Sequence, residues 1–212
     1  MSHPRKRILL VGARGVVGRW VHQALQGQHE VVLAGLEPPQ AANEIQLDLT
    51  DAAAVVQAMR QLGPLDAVVS AAGRAHFRAL AEVTPAGLED STYGLGLRDK
   101  LMGQVNLALA AREVLRPGGS ITLTSGTTSA EPILGGSALS MVNGALESWA
   151  RAAATELPQG WRINVVSPSL VEGTPAAACA AFPGFECVSG TRMALAYLRC
   201  LFSGITGQVI RV

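Results

Sequence analysis

Three glycines near the start of the chain stand three residues apart, in the run Gly12-Ala13-Arg14-Gly15-Val16-Val17-Gly18. An apolar strand pattern at 8–11 precedes them, and an amphipathic helix pattern at 16–25 follows. At such a junction the first glycine permits a tight turn, the second lets the backbone approach a pyrophosphate, and the third allows close helix–strand packing. The helix N-terminus would then face the phosphates. This spacing predicts a dinucleotide contacted by Gly12, Arg14, Gly15, Val16, Val17 and Gly18.

Further candidate cofactor contacts follow the third and fourth predicted strands. Ligands of doubly wound sheets bind at the carboxyl ends of strands. Asp48, with Leu49 beside it, could accept a hydrogen bond from an adenine amino group; a helix-capping or loop carboxylate is the alternative. The small residues Ala71, Ala72 and Gly73 would leave room for the adenosine ribose.

The end of the second strand bears on the choice between NAD and NADP. An acidic residue there would bind the ribose 2′-hydroxyl and repel a 2′-phosphate. Gly35 leaves room for a phosphate and Arg14 could supply positive charge, whereas Glu37 lies close to the spacing of an NAD-type acid. These residues favour NADP(H) over NAD(H).

Strand and helix patterns alternate along the whole chain. We predict strands at 8–11, 31–34, 45–49, 67–70, 121–124, 163–166 and 209–212. Helices are predicted at 16–25, from a cap at Thr50 or Asp51 to about 62, and at 88–115, 137–157 and 191–202, with a loop at 167–190. Such repeated βα units predict an α/β fold. Residues 1–212 would form a single doubly wound Rossmann-fold domain with a seven-stranded, mostly parallel sheet and helices on both faces.

Composition excludes several classes of function. The formal net charge of +1 gives no strong field for nucleic acid or an acidic membrane, and the apolar runs are too short to span a bilayer. The four histidines are scattered, so no metal site is expected. Three cysteines without a Cys-x-x-Cys spacing are interpreted as free thiols in a reducing compartment. We therefore expect a cytoplasmic protein.

Together with the glycine loop, several segments resemble the short-chain dehydrogenase/reductase family over nearly the whole chain. Their order and spacing make the resemblance specific. The matching segments are 47–51, 70–73, 119–125, 151–157, 162–168 and 205–209.

The resemblance implies a catalytic tyrosine and lysine four residues apart, a serine and an asparagine. Leu139 and Asn143 stand at the tyrosine and lysine positions of this sequence, so the chain resembles an atypical member. Lys100, in Lys-Leu-Met-Gly, matches the asparagine, and Ser125 lies beside the serine position at Gly126.

From this match Lys100, Ser125 and Asn143 are the catalytic candidates. Lys100 would supply a cationic group and, if desolvated, a proton, whereas Asn143 would hold the nicotinamide ribose. The alternatives are a surface lysine, a turn serine and a helix-packing asparagine. Tyr93 and His76 are weaker candidate acids.

The resemblance also implies nicotinamide-side contacts from Pro168, Val171 and Thr174. The function it favours is an NADP(H)-dependent reductase of a small carbonyl compound or imine. The alternative is a non-catalytic redox sensor or regulatory partner that binds the dinucleotide. Family members associate through the helices flanking the fifth strand, and alanines at 138, 145, 152 and 153 of the second helix predict a homodimer or homotetramer.

Overall fold

A computed structural model describes residues 4–212 of the chain; residues 1–3 of the predicted domain lie outside the described part. The strands are β1 (Arg7–Val11), β2 (Glu30–Gly35), β3 (Glu44–Gln46), β4 (Leu65–Ser70), β5 (Leu115–Thr124), β6 (Arg162–Ser167), β7 (Leu170–Val171), β8 (Cys187–Val188) and β9 (Val209–Arg211). The α-helices are α1 (Val16–Leu25), α2 (Ala52–Leu62), α3 (Gln104–Ala111), α4 (Ser137–Glu156), α5 (Ala176–Cys179) and α6 (Gly190–Phe202).

Seven strands form one parallel sheet in the order β3-β2-β1-β4-β5-β6-β9. Parallel strands need crossover connections, and the intervening helices supply them. The order reverses between β1 and β4, so the carboxyl ends of these two strands open a crevice at the switch point. The predicted seven-stranded doubly wound α/β fold is confirmed.

Two apolar cores cover the two faces of this sheet. On one face α1 and α6 bury Val21, Leu25, Met193 and Tyr197 against β1 and β4. On the other face α2, α3 and α4 bury Met59, Leu107 and Leu146, among others, against the sheet. Because both faces are covered, the strands consist of nearly continuous apolar runs.

Several predicted boundaries were wrong, and the first is the end of β3. β3 ends at Gln46 rather than at residue 49, because its neighbour β2 ends at Gly35, which lies opposite Gln46. Leu47 still donates to the Gly35 carbonyl, but Asp48 and Leu49 lie beyond the ladder and are free to face the crevice.

The helix predicted at 88–115 is shorter. A π-helical segment spans Gly96–Gly103 and leads directly into α3, which ends at Ala111. Leu115 already pairs with Leu65 in the sheet, and a register shift inside β5 accommodates Pro117-Gly118-Gly119 as an irregularity of the strand.

The segment predicted as a loop at 167–190 contains short elements. β7 and β8 pair in parallel as a separate two-stranded sheet, with α5 between them. Within residues 4–212 no helix has the length and apolar character needed to cross a bilayer. The same residues hold no group of three or more His, Cys, Asp or Glu side chains placed to bind a metal ion.

Candidate functional site

A cleft of about 360 Å³ lies at the switch point of the sheet. Nine of the predicted cofactor residues line it: Gly12, Arg14, Gly15, Gly35, Asp48, Leu49, Ala71, Ala72 and Gly73. The sheet therefore brings residues from four separate strand ends to one cavity. Val16 and Val17 begin α1 next to it, and Gly18 is buried beneath the loop.

The glycine loop is packed too tightly for side chains at two of its positions. Gly12 has a φ of +84°, and a Cβ on it would lie 2.8 Å from the Ala71 carbonyl oxygen. A Cβ on Gly18 would lie 2.1 Å from the Gly12 oxygen. The loop therefore presents backbone to the cleft. The first-turn amides of α1 have no intrahelical acceptor, and a bound anion could supply one.

Arg14 lies in the lining of the cleft between two carboxylates. Its guanidinium donates to Glu37, and a second nitrogen donates to Glu44 Oε2 at 2.8 Å. Glu44 also accepts from the Gln40 amide at 2.7 Å, and this bond, with the charge of Arg14, holds the pKa of Glu44 below its usual value. Sequence reasoning missed Glu44, because its approach to Arg14 depends on the pairing of β2 with β3.

Asp48 faces the cleft with one oxygen already engaged. Its Oδ1 accepts from the Thr50 amide at 2.8 Å and from the Thr50 hydroxyl at 2.7 Å. These bonds lower the pKa of Asp48. The helix cap is the neighbouring Asp51, which accepts from the Ala54 amide, so the capping alternative considered for Asp48 belongs to Asp51.

Lys100 is buried beside the cleft, with 8% of its surface exposed. Its Nζ donates to the Ser125 carbonyl oxygen at 3.1 Å, and its stem crosses Gly73, where a Cβ would lie 2.6 Å from Lys100 Cγ. Burial lowers the pKa of Lys100 to about 8, and the charge of neighbouring Asp99 opposes that shift. A buried lysine whose pKa is lowered in this way is suited to proton transfer.

The π-helical segment and its partners position Lys100. Asp99 accepts from the Arg74 backbone amide at 2.6 Å and from the Arg74 guanidinium at 2.7 Å, which ties the segment to the end of β4. Gln104 donates to the carbonyls of Lys100 and Thr124 and accepts from the Thr124 amide. These contacts clamp both ends of the turn that carries the lysine; π-helical turns are often found at functional sites.

Asn143 and Lys100 meet the same stretch of backbone. Asn143 Nδ2 donates to the Thr128 hydroxyl at 2.9 Å, and a Cβ on Gly126 would lie 2.9 Å from that nitrogen. Among residues 4–212 the buried Oδ1 of Asn143 has no hydrogen-bond partner. Such an acceptor is costly unless a hydroxyl or water supplies the missing donor.

Ser125 turns its hydroxyl away from Lys100. Its Oγ donates to Glu147 at 2.8 Å, Ser129 Oγ donates to the same oxygen at 2.6 Å, and Arg211 approaches the other oxygen at 3.4 Å. Glu147 is buried, so it anchors the segment that presents the Ser125 carbonyl to Lys100. Sequence reasoning missed Glu147; its place four residues after Asn143, near the same helix face, was the available signal.

The residues predicted to contact the nicotinamide lie after β6 and do not line the switch-point cleft. The Pro168 carbonyl accepts from the Thr127 amide at 3.0 Å. Val171 and Thr174 form a tight turn, in which the Val171 amide donates to Thr174 Oγ1 at 3.3 Å and that hydroxyl donates to the Val171 carbonyl at 2.6 Å.

The two tyrosines of the chain lie in different environments. Tyr197, interpreted as core, is fully buried, and its hydroxyl bonds to Thr124 Oγ1 at 2.6 Å; burial raises its pKa. Tyr93 is half-buried and its hydroxyl lies 3.3 Å from Ser137 Oγ at the start of α4, outside the contacts of Lys100. His76 is exposed.

A doubly wound parallel sheet with a glycine loop at its switch point defines a nucleotide-binding α/β protein. The family model for enoyl-(acyl carrier protein) reductase matches residues 16–198. L-xylulose reductases from Mesocricetus auratus and Homo sapiens are each 29% identical to the chain, over 178 and 185 residues that cover 78% of this chain and 72% of theirs.

Solved structures agree with these matches. The protein lin1944 from Listeria innocua is 36% identical, with a TM-score of 0.89 over 98% of this chain and 99% of its own. A small-chain dehydrogenase in complex with NADPH shares the fold at 24% identity, with a TM-score of 0.82 over 98% and 96% of the two chains. The chain belongs to the short-chain dehydrogenase/reductase family of oxidoreductases.

Proposed function

We propose that this protein is an atypical NAD(P)H-dependent reductase of a small carbonyl compound or imine, with Lys100 as its proton donor. The observation that carries the proposal is the buried Lys100 ammonium, held 3.1 Å from the Ser125 carbonyl and across Gly73 at the edge of the cleft. A buried lysine without a function would be an unexplained cost to stability.

The residues present fit a nicotinamide dinucleotide. The cleft has room for the adenosine half, the loop offers backbone to a pyrophosphate, and Asn143 Oδ1 is a buried acceptor that lacks a donor within residues 4–212. We assign that acceptor to a ribose hydroxyl of the nicotinamide half. Pro168, Val171 and Thr174 would border the same half. When bound, the cofactor supplies the hydride.

Lys100 would complete the reduction by giving a proton to the substrate oxygen or nitrogen. Its ammonium has three hydrogens and uses one on Ser125, so others remain for the substrate. Ser125 contributes its carbonyl rather than its hydroxyl, because Glu147 takes the hydroxyl. Asn143 would position the cofactor, and Glu147 would hold the loop.

The engaged hydroxyl of Ser125 favours a second candidate, a non-catalytic dinucleotide-binding sensor, because it leaves no free serine to orient a substrate. NADPH and NADH oxidation over aldehydes, ketones, imines, L-xylulose and an enoyl thioester separates the two. Turnover supports the reductase. Micromolar cofactor binding without oxidation over the whole panel would instead support the sensor.

For the cofactor we propose NADP(H), with Arg14 as the residue that meets the 2′-phosphate. Glu37 is the more exposed partner of Arg14 and can move aside, whereas Glu44 holds the guanidinium toward the cleft. The two carboxylates also favour the alternative, NAD(H), because a 2′-phosphate must enter beside their negative charges. The effect of replacing Arg14 on the affinities for NADPH and NADH distinguishes these alternatives.

Replacing Arg14 by alanine is expected to raise the Kd of NADPH by about ten-fold to one-hundred-fold, because a charge-assisted phosphate contact contributes about 1.5–3 kcal/mol. The Kd of NADH should change by less than about three-fold. Titration of the reduced cofactors by fluorescence measures both values. Arg112→Ala removes an exposed arginine far from the cleft and is the matched control. Equal losses for both cofactors would contradict the assignment.

We also propose a homodimer or homotetramer through the faces of α3 and α4. Met102 and Leu109, seven residues apart, are both about half exposed on the helix that includes α3, as is Met141 on α4. Ala138, expected at this interface, is instead buried inside the chain. Leu109→Glu is expected to give a monomer in analytical ultracentrifugation, because a charge in an apolar interface is costly. Monomeric wild-type protein would contradict the interface.

A further inference from the structure

Three phenylalanines from two separate loops form a chain of ring contacts. Phe77 and Phe182 have centroids 6.3 Å apart at an interplanar angle of 74°, and Phe182 and Phe185 have centroids 5.4 Å apart at 87°. Both pairs have the edge-to-face geometry that aromatic rings prefer. We call Phe77, Phe182 and Phe185 the phenylalanine clasp. It joins the loop after β4 to the loop between α5 and β8.

The clasp lies at the edge of the sheet where ligands of this fold bind. Its first loop follows β4 and contains Gly73, which Lys100 crosses, and the Arg78 amide of the same loop donates to the Gly135 carbonyl at 2.9 Å, just before α4. Its second loop follows Thr174, whose carbonyl accepts from Cys179 Sγ at 3.6 Å. The clasp therefore joins the loop at the carboxyl end of β4 to the loop between α5 and β8, and the first of these loops also contacts the segment just before α4.

Large apolar side chains around the clasp are unusually exposed. The exposed fraction is 48% for Phe77, 69% for Leu80 and 96% for Leu134. Exposed apolar groups concentrated in one patch indicate an apolar ligand. A polyhydroxylated substrate would find no hydrogen-bond partner in these side chains.

We propose that the substrate is an aromatic carbonyl compound whose ring adds to the phenylalanine clasp. This inference rests on the proposed reductase function and specifies its substrate class. When bound, the reduced cofactor would supply a hydride to the carbonyl carbon and would itself become oxidised. Lys100 would give its proton to the carbonyl oxygen, whose C–O π bond is lost, so that the aldehyde would become an alcohol and Lys100 a neutral amine.

The test compares 2-naphthaldehyde with the ketose ribulose as substrates of the wild-type protein, Phe77→Leu and Phe182→Leu. Leucine keeps an apolar side chain but removes the ring contact. We expect a preference for 2-naphthaldehyde in kcat/KM, and a rise in its KM of about three-fold to ten-fold in both variants, in keeping with the strength of one aromatic pair. Leu195→Ala, which shortens an exposed leucine on α6, should leave KM unchanged.

A binding measurement tests the phenylalanine clasp independently of the proposed reductase activity. Saturation-transfer NMR with the unreactive 2-naphthol, without cofactor, should give a signal that weakens in Phe77→Leu and Phe182→Leu. A signal that weakens in both variants supports the clasp even if no substrate is turned over. Absence of turnover would reject the proposed reductase function but not the clasp. Turnover of ribulose in preference to 2-naphthaldehyde, or a naphthol signal unaffected by both variants, would overturn the clasp.

Discussion

Replacing Lys100 by methionine is expected to lower kcat for carbonyl reduction by about a thousand-fold, within the range that general acid catalysis contributes. The Kd of NADPH should change by less than about five-fold, because the proposed phosphate contacts lie on the glycine loop and Arg14 and not on Lys100. Methionine fills a similar volume without charge. Lys6 is the other lysine of the chain, so Lys6→Met is the natural control. Unchanged turnover in Lys100→Met would refute the assignment.

The pH dependence gives a second readout of the same residue. In the proposed mechanism reduction requires the protonated amine, and burial lowers the pKa of Lys100 to about 8, so kcat should fall as pH rises through 8. Lys100→Arg keeps the positive charge at a much higher pKa, so any residual activity should not show that fall. An inflection that persists in Lys100→Arg would mean that another group titrates.

Stability should move in the opposite direction to activity. The pKa of Lys100 is lowered from 10.5 to about 8 by folding, so below pH 8 the folded protein bears the full cost of a buried charge. The unfolded chain holds this proton up to higher pH, and the free energy of unfolding should therefore rise between pH 8 and 10.5, by about 3 kcal/mol. Lys100→Met should be more stable than wild type at pH 7, and urea denaturation at pH 7 and 10 should show that difference narrowing.

Replacing Gly15 by aspartate is expected to weaken NADPH binding by about one-hundred-fold or more while leaving the fold intact. Gly15 is the N-cap of α1, with a φ of −72°, and no side chain caps the helix there. Aspartate is a favourable N-cap and should hold or raise the Tm. Its charge would face the pyrophosphate at a few ångströms, where like charges repel by about 3–4 kcal/mol at an effective dielectric of about 20.

Gly15→Asn is the matched control, because it has the shape of aspartate and caps the helix without charge. A Cβ at this position lies 3.3 Å from the Gly12 oxygen, so both variants need the same small adjustment. Fluorescence titration and thermal unfolding should show a large difference in NADPH affinity between the variants and little difference in Tm. Equal NADPH affinity in Gly15→Asp and Gly15→Asn would place the pyrophosphate away from this loop.

Local sequence determined the order of the elements and the glycine loop. Burial on both faces forces parallel strands into apolar runs, and those runs, with the amphipathic helices between them, define the βα alternation without knowledge of neighbours. The glycines at 12 and 18 are required by contacts within the loop and with β4, so their spacing was informative. The boundaries of β3 and β5 were not predictable, because they depend on which strands pair.

Tertiary structure alone decided the environment of the candidate chemical groups. The sequence placed Lys100 on a helix but could not show that the helix is π-helical there, that Gly73 lets the side chain cross, or that burial lowers its pKa. Glu44 reaches Arg14 only because β3 lies beside β2, and Glu147 takes the Ser125 hydroxyl only because α4 packs against β6 and the turn at Thr127–Ser129. Burial and long-range hydrogen bonds are properties of the packed chain, and no local pattern of residue types encodes them.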